Sequence, residues 1–395
     1  MARDISVGID IGSHQVKVVV SERLSEKDKE FPKIIGTGYS ESRGLRHGYI
    51  INSNDVTESV KEAIAQTEKI TKIKIKSVFI SIGGVGLESA TDTGSVIVSR
   101  GDGEITELDM EKVLEAAKLQ LPQSAIINRK ILHSIPLSYK VDGKNIMSNS
   151  PLGMKGLKLD CKVLFITCLE QHLNDLIAAV EAADIEVIDA MATPLAGSLV
   201  SLTKAQKMAG CVLANIGAET VSVVVFENGI PYSLEVFPIG STDITNDIAL
   251  GLRISLEEAE SIKLGAITGT QYPKKELDKI IIARLSDIFD LIEAHLKKVS
   301  KSGLLPAGII LTGGGSSIHT IEELAKAALK LPSKIGTFPL SQNGKPVKDA
   351  SWSPAYGLTI WGFTGDSRIK SGGDVGVIAK KIWRGLHNMV RPLLP

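Results

Sequence analysis

The chain has 395 residues, enough for two to three domains with a sizeable core, and its 45 basic and 45 acidic side chains cancel. Zero net charge leaves no global footprint for DNA or RNA and argues against nucleic acid as the main partner. Three cysteines, Cys161, Cys168 and Cys211, without CxxC spacing exclude a disulfide framework and a zinc site, fit a reducing compartment, and accompany a sequence with no run of about 18 apolar residues and no signal-type N-terminus.

The pattern predicts a strand, a tight turn at Gly12 and Ser13, and a return strand over 4–20, since β-branched residues flank the turn. A helix over 54–69 follows a capping cluster at 52–54, and SVFISIG reads as a strand over 77–83. From about 84 to 166 comes a mixed stretch that reads as a compact inserted subdomain. It holds strands over 95–99, 129–135 and 160–167, a helix over 108–119 and a turn at Asp142 and Gly143. A helix over 171–183 and a strand over 186–189 lead to a second hairpin over 211–229. It repeats the first: apolar strand, polar residue at the strand end (Asp10, Asn215), glycine two residues on (Gly12, Gly217), Val-rich return. Helices over 243–250, 256–267, 276–298 and 318–329 and a strand over 308–311 complete an α/β pattern. Residues 364–374 have the composition of a flexible linker.

Two related glycine turns can point backbone N–H groups into a shared cleft that holds phosphate oxygens. Asp10 at a strand end suits holding water around Mg2+, Ser13 and Thr220 carry hydroxyls on the two turns, and Lys17 on the return strand offers a point charge. The run IILTGGGSSIHTIEELA adds Gly313, Gly314, Gly315 and Ser316 at a strand-to-helix turn, where the backbone can approach a flat ligand.

Together these segments resemble the phosphate 1, phosphate 2 and adenosine motifs of the actin, DnaK-type chaperone and sugar kinase superfamily, with Lys17 at the spacing from Asp10 seen in actin. Within it, STDITNDIALGLRISLEEAESIK at 241–263, the run 128–141 and PLGMKG at 151–156 resemble the FtsA family of bacterial cell-division proteins, over residues 4–395. The resemblance implies an actin-like two-lobed ATPase fold with duplicated β-rich cores and one replaced subdomain. It divides the chain into subdomain IA (1–84, 167–190 and 355–364), the inserted subdomain (85–166), IIA (191–240 and 303–354), IIB (241–302), a linker (365–374) and a terminal helix (375–395). It implies ATP and Mg2+ as ligands, with Glu260 and Lys263 as the Glu-x-x-Lys that contacts ribose; their residue types alone favour an exposed i,i+3 pair. Its implied partners are the C-terminal tail of FtsZ, with Arg284 at a matching position, further copies of the chain in a filament, anionic lipids and other division proteins. Asn215 and Glu219 depart from the acidic, glycine-rich second turn of the superfamily, so hydrolysis is expected to be slow or almost absent.

In DVGVIAKKIWRGLHNMVRPLLP, Ile378, Ile382, Trp383, Leu386, Met389 and Val390 fall on one helical arc, and Lys380, Lys381, Arg384 and Arg391 fall on the other. No acid follows Asp374, so the pattern suits an anionic membrane surface at the cytoplasmic face of the division septum. A helix packed on the protein's own core or a peptide-binding partner fits the periodicity too. Three functions share the fold: a membrane-bound division scaffold, a small-molecule kinase, and an adaptor of a pilus or secretion machine. The basic tail favours the scaffold.

Overall fold

The structure is a computed structural model that describes residues 4–23, 31–146, 150–266, 272–336 and 349–364, with the backbone of 341–342 and 345–346. The expected membrane residues from Ile378 to Arg391, and all but Thr364 of the expected linker, lie outside the described residues.

The first lobe opens with the expected hairpin, β1 (Asp4–Ile11) and β2 (Gln15–Arg23), and continues into β3 (Lys33–Glu41). A two-residue ribbon, β4 (Leu45–Arg46) and β5 (Tyr49–Ile50), precedes α1 (Ser53–Thr71). The Asn52 side chain caps α1 by accepting from the Asn54 and Asp55 amides, satisfying donors that a helix start leaves free. Then β6 (Ser77–Ile82) pairs parallel with β1 through Gly8–Phe79 and Ile9–Ile80.

A separate four-stranded antiparallel sheet follows, built from β7 (Glu88–Ile97), β8 (Arg129–Val141), β9 (Lys144–Asn145) and β10 (Lys158–Leu169), with α2 (Glu107–Gln120) packed on it. The strand expected over 129–135 runs six residues further, through Pro136. Pro136 lies opposite Val163 where the β8–β10 register shifts, a bulge at which its missing N–H costs the ladder little.

The chain returns to the first lobe through α3 (Glu170–Glu181) and β11 (Glu186–Ala192), which closes a five-stranded sheet in the order β11-β6-β1-β2-β3. Two short helices, α4 (Thr193–Ser201) and α5 (Lys204–Ala209), lead into the second lobe. There β12 (Cys211–Ile216), β13 (Val221–Glu227) and β14 (Ile230–Phe237) are antiparallel. Three helices intervene, α6 (Ser241–Leu252), α7 (Leu256–Lys263) and α8 (Lys274–Lys298), before β15 (Ile309–Thr312), α9 (Ile321–Leu329) and β16 (Ser333–Ile335). The helix expected over 256–267 ends at Lys263, where the Leu264 amide bonds back to the Glu260 carbonyl, and the one expected from 318 begins at Ile321.

The second sheet has the order β14-β13-β12-β15-β16, with antiparallel and parallel pairs in the same places as the first. The hairpin echo in the sequence is therefore one part of a five-stranded duplication. Each lobe has its own core: Ile9, Val18, Val60 and Ile80 in the first, Ala214, Val223, Ile248 and Phe289 in the second. The last described helix, α10 (Ser353–Phe363), lies on β1 so closely that a Cβ on Gly8 would stand 2.2 Å from the Ala355 carbonyl oxygen.

Lys207 of α5 is buried with its ammonium 5.3 Å from the Phe226 ring centroid, and burial pulls its pKa down to about 7. The unfolded chain then binds the extra proton between about pH 7 and 10.5, so stability rises with pH across that window and is level below it. Replacing Lys207 with Met is expected to flatten this rise, worth roughly a few kcal/mol. Urea midpoints at the two ends of the window measure it.

Candidate functional site

The two hairpin turns have one geometry. Gly12 donates its N–H to the Gln15 carbonyl at 3.1 Å, and Gly217 donates to the Thr220 carbonyl at 2.9 Å. In register, Asp10 faces Lys17 in the first lobe and Asn215 faces Ser222 in the second, so Glu219 occupies the place that His14 has in the first turn.

A glycine pair also follows the corresponding parallel strand in each lobe. β6 is followed by Gly83 and Gly84 and β15 by Gly313 and Gly314, with the positive φ at the second glycine in the first lobe (Gly84, 89°) and at the first in the second lobe (Gly313, 82°). Both conformations favour glycine. At Gly313 a side chain is excluded twice, since a Cβ there would meet the Asn215 side-chain oxygen at 2.3 Å. At Gly314 a Cβ would meet nothing within 4 Å, leaving open space beside the backbone. Ser316 is buried, with its hydroxyl donating to the Gly313 carbonyl at 2.7 Å, so it shapes this turn from inside.

Asp10 sits at the end of β1 with its carboxylate accepting from the Ser81 hydroxyl. Burial raises its pKa, opposed by the Ser81 hydrogen bond and the Lys17 charge. Lys17 is buried. Its ammonium donates to the Ser351 hydroxyl at 2.5 Å and carbonyl at 3.4 Å and lies 5.5 Å from the Trp352 ring centroid. Desolvation lowers its pKa while Asp349 and Asp10 raise it. The short turn holding Gly314–Ser317 lies against Ala350–Trp352, bringing the glycine run to the lysine's own partner.

Glu260 and Lys263 form a fixed pair at the same cleft. Their 2.6 Å ion pair is shared with Thr245, which donates to Glu260 at 2.5 Å and accepts from Lys263 at 2.8 Å. Lys263 donates again to the Ser241 carbonyl at 3.1 Å, and the Ser241 amide in turn donates to the Gly217 carbonyl at 2.9 Å. Helices α6 and α7 are thereby tied to the second turn. Burial pushes the Glu260 carboxyl up, but the hydrogen bonds from Lys263 and Thr245 and the charges of Lys263 and His14 hold it below its ordinary range.

Ser81, Ser351, Thr245 and His47 belong to this site and are not legible from the motifs. His47, with φ 49°, lies between β4 and β5 and crosses the cleft. Its backbone N–H donates to the Glu219 carboxylate at 2.5 Å and its Nδ1 lies 3.2 Å from the Glu219 carbonyl, while the Gly48 N–H donates to the Ser13 hydroxyl oxygen at 3.2 Å. Replacing Glu219 with Ala removes a charged acceptor, and the His47 and Gly48 amides are expected to exchange about tenfold faster with solvent hydrogen. Hydrogen exchange read by mass spectrometry measures it.

Arg284 stands apart on α8. Its guanidinium is forked onto Asp247 of α6 at 2.7 and 3.1 Å and reaches Asp287 at 3.3 Å, and the Asp247 hydrogen bond raises its pKa.

Mirrored sheets that enclose a cleft between two glycine turns, with the inserted sheet replacing a subdomain, define an actin-like ATPase fold. Solved structures agree in fold: the PilM-PilN type IV pilus biogenesis complex matches with a TM-score of 0.67 at 17% identity, over 90% of this chain and 98% of that one. MreB 5 of Spiroplasma citri bound to AMPPNP matches with a TM-score of 0.54 at 13% identity, over 97% and 99%. A family profile for cell division protein FtsA matches residues 212–357, and one for the SHS2 domain inserted in FtsA matches 84–167. The FtsA of Borreliella burgdorferi is 32% identical over 386 residues, covering 91% of each chain, and that of Bacillus subtilis is 30% identical, covering 90% of this chain and 82% of its own. The chain belongs to the FtsA family of cell-division proteins.

Proposed function

We propose that the chain is an ATP-binding scaffold that polymerises on the cytoplasmic face of the membrane at the septum, anchors FtsZ filaments there and recruits later division proteins. The observation that carries the nucleotide reading is the facing pair of equivalent turns with one carboxylate, Asp10, enclosed at a strand end. A half-buried carboxylate with one oxygen accepting from Ser81, in the field of Lys17, is suited to hold the water shell of Mg2+, which would oppose the upward push on its pKa. The Gly12 and Gly217 amides close their own turns, and the amides that follow them, of Ser13 in the first turn and of Ala218 to Thr220 in the second, would take the phosphates. The open backbone at Gly314, beside Gly313, Gly315 and Ser316, would take the base, and the Glu260–Lys263 pair would take the ribose. ATP bound there would supply charge that draws the two turns together.

Turnover is expected to be weak. Asn215 is neutral where a carboxylate would orient water, and the Glu219 carboxylate is committed to the His47 amide. For the FtsZ tail, Arg284 would act by shaping the α6–α8 surface, since its charge is already paired. Membrane attachment rests on the basic, apolar tail from Ile378 to Arg391. The test is co-sedimentation of FtsZ with anionic vesicles in the presence of this chain and ATP. FtsZ left in the supernatant while the chain itself pellets would sink the anchoring role.

A further inference from the structure

The ribbon of β4 and β5 ends in a two-residue turn. Arg46 pairs with Tyr49, and between them His47 and Gly48 have φ 49° and 85°, the left-handed conformation that tight hairpin turns require. Such a turn leaves the amides of both central residues without a ladder partner. Gly48 is needed at its position, since a Cβ there would stand 2.4 Å from the Gly84 Cα and press on the segment that follows β6. Each of the two spare N–H groups meets one phosphate turn: His47 donates to the Glu219 carboxylate at 2.5 Å, and Gly48 to the Ser13 hydroxyl oxygen at 3.2 Å.

One of these acceptors is an anion. The backbone of Glu219 belongs to the turn between β12 and β13, while its carboxylate reaches the first lobe, so the side chain spans the gap that the phosphates would enter. A carboxylate on a backbone N–H occupies a place that a phosphate oxygen can take equally well. With the base at Gly314 and the ribose at the Glu260–Lys263 pair, the γ-phosphate is the part of ATP that lies furthest from both. ADP lacks it.

Granted the nucleotide reading of the cleft, we propose that Glu219 sets the preference between ATP and ADP, its carboxylate standing in for the γ-phosphate on the His47 amide. ATP binds by displacing that carboxylate, and its γ-phosphate then accepts from the His47 and Gly48 N–H groups. ADP binds with the carboxylate left in place. Displacement breaks a charge-assisted hydrogen bond and brings two anions together, so Glu219 lowers the affinity for ATP and leaves that for ADP unchanged.

The experiment measures binding of ADP and of the non-hydrolysable analogue AMPPNP, each with Mg2+, by titration calorimetry on the full chain and on Glu219→Gln and Glu219→Ala variants. The Gln variant keeps the shape and an acceptor oxygen without the charge. Both substitutions are expected to raise the affinity for AMPPNP relative to ADP about tenfold, the difference between a charged and a neutral acceptor. Hydrogen exchange of the peptide carrying His47 and Gly48 gives a second readout: in Glu219→Ala, AMPPNP should restore the lost protection and ADP should not. An AMPPNP-to-ADP ratio unmoved in Glu219→Gln, or exchange still fast in Glu219→Ala with AMPPNP bound, would overturn the role of Glu219 alone. A wild-type chain that binds neither nucleotide would overturn the nucleotide reading and this role with it.

Discussion

Replacing Asp10 with Asn is expected to weaken ATP binding in Mg2+ by roughly a hundredfold, about 2.7 kcal/mol. The amide keeps an oxygen to accept from Ser81, so the strand end keeps its shape while the charge is lost. Asp10→Ala should cost as much affinity and some stability besides, because it leaves the Ser81 hydroxyl and the buried Lys17 ammonium with one partner fewer. The two substitutions therefore separate charge from packing. Titration with a fluorescent ATP analogue, with Mg2+ and again with the metal chelated, gives the decisive comparison. If the carboxylate works by holding the water shell of the metal, wild type and Asp10→Asn converge once Mg2+ is removed. Equal affinity in the presence of Mg2+ would refute the assignment of Asp10 to the phosphate clamp.

How much was legible in the sequence followed from where each element's partners lie. The two hairpins were readable because strand, turn and return strand are contiguous and their β-branched runs alternate with single glycines. The five-stranded duplication was not, because the parallel pairs of β1 with β6 and of β12 with β15 join residues far apart in sequence. β3 is hidden by Gly36 and Gly38, which look like turn residues. Gly38 is there because a Cβ would stand 2.2 Å from the Thr67 hydroxyl and 2.6 Å from the Ala63 carbonyl of α1. α10 is hidden for the opposite reason. It is apolar all round and buried between β1 and α4, so it has no polar face to mark its period, and Gly357 admits the Ala196 carbonyl at 1.9 Å from a would-be Cβ.

The site divided along the same line. Asp10, Gly12, Gly217 and the glycine run carry their chemistry in residue type and local spacing, which a motif records. His47 acts through a backbone N–H on a carboxylate 172 positions away, and Ser351 holds Lys17 across 334. Neither leaves a local pattern. Arg284 shows the converse: the resemblance offered it as a partner contact, and its guanidinium is forked onto Asp247 within the chain.

A chain ending at Gly372 is expected to stay in the supernatant under conditions in which the full chain pellets with anionic vesicles. Residues 4–364 hold every described element, so the truncation keeps both lobes and both turns, and its ATP affinity should equal that of the full chain. What it removes is Lys380, Lys381, Arg384 and Arg391 opposite an apolar arc containing Trp383. At about 1 kcal/mol for each basic residue near an anionic leaflet, four contribute about 4 kcal/mol, close to a thousandfold in partitioning before the apolar arc is counted. Two controls fix the cause. Raising salt or using zwitterionic vesicles should release the full chain, because the electrostatic part is screened over about 10 Å at 0.1 M. Replacing Trp383 and Leu386 together with Ser should release it at low salt too, because the apolar face then has nothing to insert. Equal pelleting of the full and truncated chains would move the membrane contact into the folded body, and the tail would lose its role as the anchor.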